Sequence, residues 1–337
     1  MPRLNAPPTA NEVKAKRTRT QGRTGAPVTD QSERAQAEAA ATQGNQPTQA
    51  ALSSLFQPLH DVREFVNVLY YGKEGSGKTS AVSVMSKLGR ILVINAEGGL
   101  KTAPLRSRGA DTSNILVYPP AGEDLTFDGL EAVVEQLHHD LRDDPDSWAG
   151  VIVDSATEVY AACLEAASDK RVTTARNNKG VEVDRWFTDR ADYGEANKQM
   201  RFLLRRLRDL PCHFAVTALE RRDVDEDTQK VNYGPAVSPG LATDLLGYMD
   251  LVLVTKGSDE KGGFRALTKG TGRYRAKDRF DVLPAILQNP TFDRVNQYVT
   301  GELVEADDEQ QVAQAATTQT TADKAEDNTT PTKKENN

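Results

Sequence analysis

Gly72-Lys73-Glu74-Gly75-Ser76-Gly77-Lys78-Thr79 decides how this chain is read. It is a complete G-x-x-x-x-G-K-[ST], the pattern of a loop whose glycines let backbone N–H groups turn towards phosphate oxygens. An apolar run at 65–71 precedes it as a strand, and residues 78–88 follow it with helical spacing. A helix starting there points its positive end at the same phosphates. The expected nucleotide contacts are Gly72, Lys73, Glu74, Gly75, Ser76, Gly77, Lys78, Thr79 and Ser80. Lys78 would reach the β and γ phosphates, and Thr79 would hold Mg2+.

Two carboxylates complete this reading. The run Gly150-Val151-Ile152-Val153-Asp154-Ser155 ends a strand on Asp154, which reaches Mg2+ through water if its strand lies beside the loop's own. The alternative for Asp154 is a helix cap before a helix near Ser155. The run Val93-Ile94-Asn95-Ala96-Glu97 places a second acid just past a buried strand, where a carboxylate can activate water against a γ-phosphate. The alternative for Glu97 is a loop acid held by the N–H groups of Gly98 and Gly99.

Working outward, short apolar runs alternate with amphipathic stretches, the pattern of a mostly parallel sheet flanked by helices. Strands are expected at 65–71, 91–95, 115–118, 150–154, 213–218, 250–255 and 264–268. Helices are expected at 78–88, 125–141, 155–167, 191–210 and 242–246. In the helix over 191–210, Leu203, Leu207 and Leu210 share a core face while Arg201, Arg205 and Arg208 share another, expected to be solvated.

Composition bounds the rest. The chain has 337 residues, 38% hydrophobic and 27% charged, with a net charge of −7. No apolar stretch is long enough for a membrane span and the first residues lack a signal peptide's apolar core, so a cytoplasmic protein with no membrane partner is expected. Cys163 and Cys212 lie in apolar runs and read as core thiols, and the four histidines show no metal-ligand spacing. Residues 1–50 carry seven bases against four acids, whereas 301–337 carry nine acids against three lysines. Both ends are poor in aromatics, so a disordered basic arm at 1–55 and a disordered acidic tail at 304–337 are expected around one α/β domain at 56–303.

At these motifs the chain resembles the RecA-like P-loop ATPases, with Glu97 matching the family's catalytic Glu and Asp154-Ser155 its magnesium strand. It is most similar to a phage-encoded, AAA-type branch akin to the Sak-like single-strand annealing recombinases. That likeness covers 65–290 and is carried by Tyr193-Gly194, by the run from Arg206 to Pro211 leading into Phe214-Ala215-Val216-Thr217-Ala218, and by Ala276-Lys277-Asp278-Arg279-Phe280. The family's polar γ-phosphate sensor is replaced by Leu219-Glu220, which leaves Thr217 or Glu220 for that duty. GTPases resemble one another in an [NT]KxD motif, and Thr255-Lys256-Gly257-Ser258 has serine in place of the aspartate, so ATP is the expected nucleotide.

The resemblance further implies Mg2+-dependent ATP hydrolysis in phage DNA recombination, annealing or repair, in a host cell's cytoplasm. It implies a ring or filament with ATP at subunit interfaces, and a single-strand DNA-binding protein as a further partner. Residues 256–279 hold eight bases against three acids, and Lys277 and Arg279, with Arg275 third, are the expected cations reaching a neighbour's ATP. Trp186-Phe187, amid Lys170, Arg171, Arg176, Lys179, Arg185 and Arg190, suits single-stranded DNA, with loop anchoring as the alternative. The polar loop expected from Arg221 to Tyr233 is a weaker DNA candidate because Asp223, Asp225, Glu226 and Asp227 would repel phosphate. Two rivals remain open: a nucleic-acid motor of helicase or packaging type, and a nucleotide-dependent assembly module with little turnover.

Overall fold

The computed structural model describes residues 63–180, 182–224, 229–257 and 263–304. The expected arm at 1–55 and tail at 304–337 lie outside these residues, apart from Val304. The expected α/β arrangement is the one observed, a mostly parallel mixed sheet with helices on both faces.

Its centre is β1 (Asn67–Gly72), where every side chain from Val68 to Tyr71 is buried. Leu69 and Tyr71 enter one core and Val68 and Tyr70 the other. Burial on both faces is why the strand reads as an unbroken apolar run instead of an alternating one. After the phosphate loop come α1 (Lys78–Ser83), a 3-10 turn to Lys87, β2 (Ile91–Asn95), α2 (Thr102–Ser107) and β3 (Ile115–Tyr118). Then follow α3 (Phe127–Asp143), β4 (Gly150–Asp154), α4 (Ala156–Lys179), α5 (Arg190–Arg208), β5 (His213–Val224), β6 (Val231–Pro235) and α6 (Pro239–Tyr248). The described chain finishes with β7 (Leu251–Lys256), β8 (Arg265–Leu267), β9 (Lys277–Asp278), β10 (Ile286–Gln288) and α7 (Phe292–Val299).

The sheet runs β10-β8-β7-β1-β5-β4-β2-β3, with β6 on β5 and β9 on β7. From β7 to β3 all neighbours are parallel, while β6, β8, β9 and β10 pair antiparallel. Helices α3 to α6 cover one face, and α1 with α7 covers the other.

Several expected elements shift for physical reasons. β5 continues past Ala218 because β6 extends it as a hairpin above the sheet. Helix α4 runs on to Lys179, so Lys170, Arg171 and Arg176 sit on a helix and not in a polar loop. The arginine face of α5 is not simply solvated: Arg205 is exposed, but Arg201 bonds Asp244 of α6 at 2.6 Å. The small elements α2, α7, β6, β9 and β10 were not expected; most are too short for a period to show.

His213 opens β5, with Phe65 and Phe292 edge-on to its ring. Its Nδ1 accepts from Val66 N–H at 3.1 Å, which only the neutral ring can do. Burial, with a smaller contribution from the Arg63 charge, pushes its pKa down to about 4 from 6.5. The depressed folded value means stability is complete above pH 6.5 and is lost as pH falls towards 4, because the unfolded chain takes up a proton the folded chain refuses. The loss amounts to about 3 kcal/mol at the bottom of that window. Denaturant titrations from pH 7 to pH 4 should show this component in the native chain and lack it in His213→Asn, whose side-chain oxygen still accepts from Val66.

Candidate nucleotide site

Gly77 closes the phosphate loop with φ 82 as the cap of α1, a backbone state that costs glycine nothing. Gly72 is required for a different reason: a Cβ there would lie 2.4 Å from Thr255 Oγ1 and 2.5 Å from Thr255 O on β7. Ser76 then ties the loop to the sheet, with its Oγ 2.7 Å from Lys73 O and 2.8 Å from Thr255 Oγ1. Lys78 Nζ donates to Gly72 O and Lys73 O at 3.1 and 2.8 Å, so a phosphate must win it from those carbonyls. Burial lowers its pKa, while Glu97 and Asp154 work in the opposite direction.

Asp154 does not reach the loop from a neighbouring strand, as the sequence reading supposed. β5 lies between β4 and β1, and its Thr217 fills the gap by donating to Asp154 Oδ1. Thr79 Oγ1 donates to the same oxygen at 3.2 Å. Asp154 is 3% exposed, and its pKa is raised by burial, against which the Thr217 and Thr79 hydrogen bonds act. Glu97 lies across the cavity, anchored by its N–H to Asp154 O at 3.2 Å. The Gly98 N–H goes to Asn95 O, and no hydrogen bond to the Glu97 carboxylate is made among the described residues.

These parts enclose a cavity of about 480 Å3 lined by Glu74, Gly75, Gly77, Lys78, Thr79 and Ser80 of the loop and α1, and by Glu97. Leu219, Pro104, Ser107, Arg108 and Phe264 complete the lining. The residues fit a magnesium ion: a hydroxyl and a carboxylate oxygen 3.2 Å apart are hard donors, and Ser155 Oγ and Asn95 Oδ1 nearby are buried without hydrogen-bond partners. The structure does not bring Lys277 and Arg279 to this cavity. β9 pairs with the first residues of β7, Leu251 and Val252, at the end of the sheet opposite the loop. Lys277 Nζ donates to Leu246 O and Met249 O at the end of α6, and Arg279 pairs with Asp250 at 2.8 Å.

The profile of a family described as an AAA domain matches residues 64–280. The chain belongs to the AAA domain family. No curated protein matches it. Solved structures similar to it include one titled crystal structure of the RadB recombinase, 15% identical, covering 66% of this chain and 87% of that one. The TM-score between the two is 0.41. Within this AAA domain, Arg108 and Phe264 escaped the motif reading of the cavity, because they meet only through folding. Thr217, a candidate sensor in the sequence, is bonded to Asp154 behind the cavity.

The surroundings of Trp186 and Phe187 are also explicit. Trp186 is 86% exposed and Phe187 63%. The bases beside them are paired: Lys170 with Glu195, Arg171 with Asp192 and Arg185 with Asp169.

Proposed function

We propose that this AAA domain binds ATP with Mg2+ and hydrolyses it to ADP and phosphate, serving DNA recombination, annealing or repair in a phage-infected cell. One observation carries the reading: a single cavity gathers Lys78, Thr79 and the unengaged Glu97 carboxylate, with Asp154 directly behind Thr79. Glu97 takes a proton from water as its oxygen attacks the γ-phosphorus, and the bond to the β–γ bridging oxygen breaks to release ADP. Lys78 and the loop N–H groups neutralise the phosphate oxygens. Mg2+, held by Thr79 and through water by Asp154, would supply further charge neutralisation on the β and γ phosphates. Thr217 keeps Asp154 oriented.

The DNA part rests on Trp186 and Phe187, whose rings face solvent where bases can stack. In an oligomer with ATP between subunits, Arg279 is the better placed of the two cations to face a neighbour's phosphates: it is paired with Asp250 but its side chain is 59% exposed, whereas Lys277 is held by carbonyls. ATP turnover measured with and without single-stranded DNA tests the assignment. Single strands should stimulate the native chain, and Trp186→Ala should weaken strand binding about tenfold. A second reading, the nucleotide-dependent assembly module, is favoured by the acid partners of Lys170, Arg171 and Arg185; nucleotide binding with no turnover and no strand binding would select it.

A further inference from the structure

The phosphate end of the cavity is accounted for, but its outer wall is not. Helix α2 ends at Arg108, whose guanidinium carbon lies 3.5 Å from the centroid of the Phe264 ring. Phe264 in turn lies on the phosphate loop, where a Cβ on Gly77 would stand 2.7 Å from its Cδ1. Both side chains line the cavity. Arg108 has no acid partner among the described residues and its guanidinium makes no hydrogen bond there, although burial depresses its pKa. A half-buried guanidinium that lies over a ring and has no acid partner has its other side available to a second π-system.

We propose that Arg108, backed by Phe264, is the platform on which the nucleobase stacks, and that it holds purines without reading their edges. This rests on the nucleotide reading above. A site that selects a base edge needs fixed donors and acceptors beside it. Among the described residues, the neighbours on this side of the cavity are Pro104 and Ser107, and the Ser107 hydroxyl already donates to Pro104 O at 2.9 Å. Stacking is tolerant because every base has a π-face, and it favours purines by their larger area. The domain therefore accepts purine nucleoside triphosphates as a class.

The test is binding of Mg2+ complexes of ATP, GTP and inorganic tripolyphosphate to the full chain, in native form and as Arg108→Ala and Arg108→Lys. The expected result is ATP and GTP within about threefold of each other, and ATP at least about tenfold tighter than tripolyphosphate. Arg108→Ala should weaken both nucleotides about tenfold and leave tripolyphosphate within about twofold. Arg108→Lys keeps the charge but loses the planar face and should behave like the alanine variant. Equal weakening of tripolyphosphate and ATP would make Arg108 a phosphate ligand and overturn the proposal while leaving the nucleotide site standing. Unchanged ATP binding in Arg108→Ala, or strong preference for one purine, overturns it as well. If neither nucleotide nor tripolyphosphate binds the native chain, the nucleotide reading itself has failed.

Discussion

Glu97→Gln is expected to lower ATP turnover by about 10²–10⁴-fold while leaving ATP affinity within a few fold. The amide has the carboxylate's shape and cannot take a proton from water. Nothing structural leans on the charge: the residue is exposed, and its tie to the fold is the backbone bond from its N–H to Asp154 O. Removing the negative charge also relieves its repulsion of phosphate, so binding holds or tightens. Single-turnover phosphate release alongside direct ATP titration separates the two quantities. Turnover that survives the substitution would reduce Glu97 to a loop acid and remove the proposed mechanism.

Gly72→Ala is the substitution expected to cost most in the fold, roughly 3 kcal/mol or slightly more by overpacking. Its added carbon would meet both Thr255 Oγ1 and Thr255 O, and the second is backbone that cannot rotate away. β1 and β7 must then part at Gly72 and Thr255, their last pair, which is where the loop departs. Ser76 loses its hold on Thr255 with that movement, so ATP affinity should fall at least about tenfold together with stability. Thermal unfolding with and without Mg2+-ATP reads both effects. A native melting temperature in Gly72→Ala would mean that the two strands tolerate separation and that the close approach is incidental.

Much of this architecture was legible because a strand buried on both faces leaves an unbroken apolar run. Ile91–Asn95 and Gly150–Asp154 are found where those runs lie, whereas Ile115–Tyr118 is an apolar run at the half-exposed edge of the sheet. Strand order was not legible, since pairing depends on partners far away in sequence. The sequence reading placed Asp154 beside the loop on condition that their strands were neighbours; β5 lies between them, yet Asp154 still meets Thr79 directly and Thr217 of the intervening strand bonds the same oxygen. Short elements stayed hidden for want of a period, as α2 did, with Pro104 inside it. The basic residues at 170–176 misled because charge on a helix flank looks, in one dimension, like charge in a loop. Arg108 was invisible until Phe264 folded against it.

The central place of β1 also has a meaning in time. Its flanking strands are made long after it: the contact from Val66 to His213 spans 147 residues and that from Asn67 to Asp250 spans 183. At roughly 5–20 residues per second of synthesis, the nascent strand waits about 7–37 s for its neighbours. Through that interval an apolar segment with both edges open travels out of the ribosome ahead of everything able to cover it, exposed to pairing with other chains. The phosphate loop attached to it acquires its shape only when β7 arrives to supply Thr255, so the catalytic apparatus is among the last parts of this molecule to be born, although it is encoded near its beginning.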